Sequence, residues 1–448
     1  MIDNSDIVLL AEAQPKGKRK KAPPLLAAVQ LMRKDEAWQG VFAYDDFAKR
    51  DIVRRAIPGA AKRRNEFPHD LTDTDVTDAT LWLQAVGVPI STRTAGEAIH
   101  AVAADSAFHP VRDYLHRLEW DGVPRIDTWL VDHLGASDTA FNRAAGAKWL
   151  IGAVARAERP GCAMKTVLVI EGPQDLGKST VFATLAVEDR FFTDHISNLN
   201  KKDALEEVQG KWIIEFAEFD TLGRAEANRV KAFISTRTDH FRPSYARIAE
   251  DFPRQWVGVA TVNPGGTGYL RDETGGVRFW PVACAVGWRA GRAVDFDRLR
   301  STRDQFWAEA LVRFRCDEPW WITDEAVRAE QVEAAAARAE DDPREPAVRT
   351  AVEGQRWVQM ADVLLEIGYQ VERHDKSLQT QIGGLLTRLG WIRHRCQGVM
   401  GPNGPGYYYF PPGTNNPTEY ARLVTREADE IAKPYASDAL KIGRNRFD

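Results

Sequence analysis

Eight consecutive residues, Gly172-Pro173-Gln174-Asp175-Leu176-Gly177-Lys178-Ser179, satisfy the pattern G-x-x-x-x-G-K-[ST] in full. That spacing suits a polyphosphate. The glycines let the backbone curl until its N–H groups face a β-phosphate. The lysine reaches the β- and γ-phosphates, and the hydroxyl after it can ligate Mg2+. A helix expected over Ser179 to Ala186 aims its positive end at the same anion. The preceding run, Thr166 to Glu171, is apolar and β-branched, as a buried strand must be. An incidental glycine-rich turn is the competing reading, and it does not account for the lysine. The ligand implied is ATP or another nucleoside triphosphate.

Such a loop needs a carboxylate at the tip of a neighbouring strand to hold the metal. The run Lys211 to Ala217 reads as that strand. Glu215 is the candidate for the Mg2+ side, and Glu218 is the candidate for polarising the attacking water; the alternative is that one of them is a surface carboxylate. A third strand, Trp256 to Val262, ends at Asn263, which could bond the γ-phosphate or the water but also suits a turn before Pro264. Arg278, beside Phe279 and Trp280, looks like a positioned cation that a neighbouring subunit could use; the alternative is a structural pair with Asp272 or Glu273. Between the second and third strands lie Lys231, Arg237, Arg242, Tyr245 and Arg247. Basic residues interleaved with Phe241 and Tyr245 suit a segment that tracks a nucleic-acid strand, and a solvated basic face is the competing reading.

These groups need a scaffold. Strands alternating with helices argue for an α/β fold with a parallel sheet. The chain has 448 residues, enough for two to four domains, and its hydrophobic content of 44% is ordinary for a globular core. Residues 1–24 read as a disordered basic tail, 25–140 as a mainly helical region, 141–315 as the core and 316–350 as a helical linker. Thr94–Asp105 reads as a helix that its threonine could cap, 141–158 as one helix, and 301–340 as helical. Asp342-Pro343 and Glu345-Pro346 read as a natural linker. In residues 351–412, helices over Val358 to Ile367 and Lys376 to Leu389 precede a Gly/Pro-tipped hairpin, Trp391 to Phe410. That is the layout of a winged helix, with Lys376, Arg388, Arg393 and Arg395 as candidate DNA anchors. Residues 413–448 read as a polar tail.

With 60 basic and 64 acidic residues, the net charge is −4, so any contact with DNA must come from local patches. Four cysteines without a C-x-x-C pair suggest neither zinc nor a redox motif, and point to a reducing, cytoplasmic setting. No apolar run is long enough for a membrane span.

Taken in order, YLHRLEWDG, RPGC, GPQDLGKST, WIIEFAEFD, KAFISTRTDHFRPSY, TVNP and LRDETGGVRFWPV resemble the virulence-associated E family, which is similar to superfamily 3 helicases and to phage and plasmid primase-helicases. The resemblance covers roughly residues 90–285. It implies a P-loop NTPase core of AAA+-like, superfamily 3 type, working as a homo-oligomeric ring, a hexamer among the expected forms, on single-stranded or forked DNA with ATP and Mg2+. On that resemblance, Gly172 to Thr180 is the Walker A segment, Glu215 with Glu218 is Walker B, Asn263 is sensor 1 and Arg278 is the arginine finger. Lys231 to Tyr245 falls where such helicases carry a DNA-contacting hairpin. Two departures stand out. Asp175 replaces a usual glycine, and Val277 stands where an arginine often precedes the finger. The residues ahead of the loop hold no carboxylate cluster resembling a primase centre, so priming would need a separate chain. An ATP-switched DNA-binding initiator or regulator without translocation is the alternative. A small-molecule kinase would have no use for the basic segment.

Overall fold

The computed structural model describes residues 22–60, 66–197, 199, 201–217, 224–244, 248–263, 278–289, 292–338, 343–396 and 406–423. The basic run Lys16–Lys21, the tail beyond residue 423, and Glu218, Tyr245 and Arg247 lie outside the described residues.

Helix α1 (Pro24–Lys34) opens on a proline, whose missing N–H costs nothing in a first turn. Strands β1 (Phe42–Asp45) and β2 (Arg50–Val53) form an antiparallel hairpin, extended by β3 (His69–Asp70). Helix α2 (Asp73–Ala85) starts at a Thr72–Asp75 capping box. Helix α3 (Thr92–Ala104) is capped by Ser91, whose side chain accepts from the Thr94 N–H, so Thr94 lies inside the helix and is not its cap. Strand β4 (Ala107–Phe108) then runs parallel to β1, completing a sheet of order β3-β2-β1-β4. The expectation of a mainly helical region therefore missed a sheet. Its strands are two to four residues long, too short to print a two-residue period on the sequence. Trp38, fully buried, joins sheet to helix, with ring centroids 5.7 Å from Phe42 and 5.2 Å from Trp82.

Next come α4 (Pro110–Arg117), α5 (Trp129–Leu134) and α6 (Ala140–Glu158). Strand β5 (Val167–Glu171) leads through the Gly172–Gly177 loop into α7 (Lys178–Leu185). After β6 (Phe192–Thr193) and α8 (Lys202–Glu207) come β7 (Ile213–Phe216), α9 (Arg224–Ser235), the hairpin β8 (Thr238–Phe241) and β9 (Glu250–Pro253), β10 (Val257–Val262) and β11 (Phe279–Ala283). The central sheet has the order β11-β5-β10-β7-β6 and every pair is parallel. Such a sheet is covered on both faces, which is why its strands read as unbroken apolar runs. On one face α6 is buried nearly all round, and indole N–H groups tie it to the sheet: Trp149 donates to the Gly258 carbonyl (2.9 Å), and Trp212 donates to that of Ala153 (3.0 Å). On the other face Val230, Phe233 and Ile234 of α9 pack with Ile214, Trp256 and Ala260.

The stretch 301–340, expected to be helical, holds two helices, α10 (Phe296–Arg315) and α11 (Glu325–Ala336), with Pro319 between them. Asp295 caps the first through the Arg298 N–H. The Pro346 region opens α12 (Glu345–Val352), because proline in a first turn starts a helix as readily as it breaks one. Then follow α13 (Met360–Glu366), α14 (Lys376–Arg388) and the antiparallel pair β12 (Ile392–Cys396) and β13 (Gly406–Phe410). Val358 bridges Tyr409, and Val348, Val363, Leu364, Ile382, Leu386 and Trp391 form the local core.

Candidate functional site

Strand β5 ends where the backbone must turn tightly. A Cβ on Gly172 would meet Leu176 at 2.6 Å, and one on Gly177 would meet the Phe296 ring at the same distance, with Gly177 at φ +87°. Gly177 admits no other residue without strain, and a side chain at Gly172 would have to displace Leu176. Asp175 also has a left-handed backbone, φ +64°. That explains why a glycine suits this position, and why aspartate, among the non-glycine residues that enter this region most readily, can stand in for it.

The loop closes around its lysine. Lys178 is 8% exposed, and its ammonium donates to the carbonyls of Gly172 (2.7 Å) and Pro173 (2.9 Å) and to Asn263 Oδ1 (2.8 Å). Asn263 follows β10, the strand next to β5. On the far side of β10, Glu215 projects from β7 and is 1% exposed. Its Oε1 accepts from Ser179 Oγ (2.8 Å) and from Thr261 Oγ1 (2.5 Å), whereas Oε2 is buried with no hydrogen-bond partner among the described residues. Burial pushes the Glu215 carboxyl above its ordinary range, opposed by the Thr261 and Ser179 hydrogen bonds; the Asp194 charge raises it further and Lys178 lowers it. A buried carboxylate oxygen beside a serine hydroxyl is the oxygen donor set a hard divalent cation takes. A cavity of about 300 Å³ opens here, lined by Gln174, Asp175, Gly177, Lys178, Ser179, Thr180, Glu215, Ala217, Thr261 and Asn263.

Three residues near the loop escaped sequence reasoning. Thr261 sits inside the apolar run of β10, where it looks like one more strand residue. Asp194 lies after β6 and acts on Glu215 through space. Glu171, the last residue of β5, is held by Arg338 through two contacts of 2.6 and 2.7 Å. None has a spacing signal, because each partner comes from a distant element.

Other candidates lie elsewhere. The Arg278 carbonyl accepts from the Val167 N–H (2.8 Å), at the start of β5 and β11. That is the opposite end of the sheet from the loop, roughly 13 Å of strand away. Arg242 is exposed just past β8, and Lys231 is half-buried on α9. Arg237 donates to the Gly161 carbonyl (2.7 Å), which closes the root of the hairpin. That root holds a buried ion pair: Arg254 makes a two-pronged contact with Asp239 (2.6 and 2.7 Å) and lies over the Phe233 and Trp256 rings. Glu206 of α8 accepts from the Ser244 N–H (2.6 Å) and Oγ (2.9 Å), tying the arm of the hairpin to the body. Among the C-terminal cations, Lys376 is exposed at the start of α14, Arg388 pairs with Glu345 (3.6 Å), and Arg393 and Arg395 are exposed on β12.

Thus Lys178, Ser179, Glu215 and Asn263 converge on one cavity, while Arg278, the hairpin and the C-terminal cations stand apart from it. Residues 115–340, half of the chain, match the virulence-associated protein E-like domain, and the chain belongs to that family. No curated protein matches it. Among solved structures, "The A form apo structure of NrS-1 C terminal region-CTR" is 13% identical with a TM-score of 0.44, covering 83% of this chain and 87% of that one. "The apo structure of NrS-1 C terminal region (305-718)" is also 13% identical with a TM-score of 0.45, covering 88% and 100%. No helix among the described residues is long and apolar enough to cross a membrane.

Proposed function

We propose that this chain is an ATP-driven DNA translocase or helicase of phage or mobile-element replication, with a P-loop core of superfamily 3 type. The observation that carries the reading is the Ser179–Glu215 contact: the serine of the loop and a carboxylate of the next strand but one share a hydrogen bond beside the lysine. A helix start, an ammonium and a hydroxyl–carboxylate pair within one cavity suit a magnesium triphosphate.

In this reading the loop N–H groups and Lys178 hold the phosphates, and an incoming phosphate takes over from the carbonyls and Asn263 as partner of the ammonium. Ser179 and Glu215 would hold Mg2+, whose charge would offset that of the phosphate oxygens. Asn263, released from Lys178, is free to orient water together with Glu218. Arg278 serves the cavity of a second copy of the chain, because strand geometry keeps it from its own; that requirement favours a ring. Helix α9, through Lys231, and the segment that follows β8, through Arg242, Tyr245 and Arg247, would carry force to the DNA. The three C-terminal helices and hairpin, with Val358 as a short third strand, suit a winged helix that grips DNA.

The test is ATP hydrolysis with and without single-stranded DNA, in the wild type and in Lys178→Ala. The expected result is hydrolysis stimulated by DNA and lost in the variant. Equal hydrolysis in both proteins would sink the reading. ATP-dependent DNA binding without strand separation would select the switched initiator instead.

A further inference from the structure

The β12–β13 hairpin carries a feature that a duplex-gripping wing does not require. Arg393 and Arg395 are exposed on one strand, and neither forms an ion pair among the described residues. Both instead lie over the ring of Tyr407 on the opposite strand, at 4.1 and 5.8 Å from its centroid. That ring is half exposed, while the next three residues, Tyr408, Tyr409 and Phe410, are buried. Arg388 shows the contrast, because it is neutralised by Glu345. Two guanidinium groups without carboxylates are a site for phosphate. The half-exposed tyrosine ring beside them offers a flat apolar surface. Duplex DNA has no use for such a ring, since its bases are stacked on each other; an unpaired base does.

We propose that Tyr407, flanked by Arg393 and Arg395, is a stacking platform for single-stranded DNA, so that this hairpin holds a separated strand and not the duplex ahead of it. The proposal rests on the DNA-acting reading above and adds to it the strand state and the residue that reads it. The base stacks on the ring while the guanidinium groups take the flanking phosphates. Tyr407 acts through its π-face, so its hydroxyl is dispensable.

The experiment uses the full chain with an oligothymidylate and, separately, a blunt duplex, and reads fluorescence anisotropy over a salt series. Tyr407→Ala is expected to weaken oligothymidylate binding by roughly 5- to 150-fold and to leave duplex binding unchanged. Tyr407→Phe should bind like the wild type. Arg393→Ala should flatten the dependence of log affinity on log salt by roughly 0.7 for one lost phosphate contact. Thermal melting of each variant checks the fold, which the exposed ring should not disturb. Equal losses on single strand and duplex would overturn the proposal in favour of a backbone-gripping wing. Unchanged single-strand binding in Tyr407→Ala would overturn it while leaving the wider reading intact. Wild type that binds neither DNA would remove both.

Discussion

Two buried carboxylates sit near opposite ends of β10, and their surroundings differ in one respect. Asp239, at the root of the hairpin, is 4% exposed and meets a guanidinium on both oxygens. Glu215, beside the loop, is 1% exposed and among the described residues meets two hydroxyls, both on the same oxygen. A buried charge without an opposite charge is unfavourable, and folding tolerates it only where something else is gained. The Asp239–Arg254 pair is complete within the fold and serves to hold the hairpin. The Glu215 site is incomplete among the described residues: one carboxylate oxygen has no hydrogen-bond partner, and Glu215 lines the cavity that contains Lys178. Burial therefore does not by itself separate structure from function in this molecule; the identity of the partner does.

Breaking the complete pair should have the largest effect. Arg254→Ala leaves Asp239 buried without compensation and removes the stack on Phe233 and Trp256, for a loss of about 3–5 kcal/mol in chemical unfolding. If the variant unfolds like the wild type, the two carboxylates are not as different as their partners indicate. Next in size is Lys178→Ala, expected to cut hydrolysis by about 1000-fold, as for a lost donor to developing phosphate charge, with a melting temperature near that of the wild type. A large fall in melting temperature instead would make the lysine a structural strut.

Glu215→Gln sharpens the contrast from the other side. Hydrolysis should fall by about 100-fold while the nucleotide-free protein gains stability near neutral pH. The sign follows from the raised carboxyl: the folded state holds the proton more tightly than the unfolded chain. The contribution of Glu215 to stability is therefore fully present below the ordinary value of 4.5 and is lost as pH rises through the higher folded value. The glutamine variant should lack that component of the decline, as thermal unfolding from acid to neutral pH would reveal. An identical pH profile in both proteins would show that Glu215 carries no penalty. The smallest effect is expected at Asp175, where glycine relieves the left-handed backbone and removes a carboxylate near the phosphates. Asp175→Gly should tighten nucleotide binding by about two- to fivefold, and calorimetric titration showing weaker binding would assign Asp175 a direct contact.

Local chemistry was legible in the sequence wherever backbone and side chain act within a few residues of each other. The pattern from Gly172 to Ser179, the strand before it, the helix after it and the acidic tip of β7 could be read directly, because steric demand and hydrophobic period are properties of short segments. The hairpin layout of residues 391–410 was legible for the same reason. The N-terminal sheet was not, because strands of two to four residues owe their existence to their neighbours. Nor were the partnerships of Thr261 with Glu215, Arg338 with Glu171 and Arg254 with Asp239, which join residues up to 167 positions apart. Residue type and spacing determined which groups could do chemistry here. Only the packing of the sheet decided which of them meet, because electrostatic and hydrogen-bonding energies depend on distances in space that chain separation does not encode.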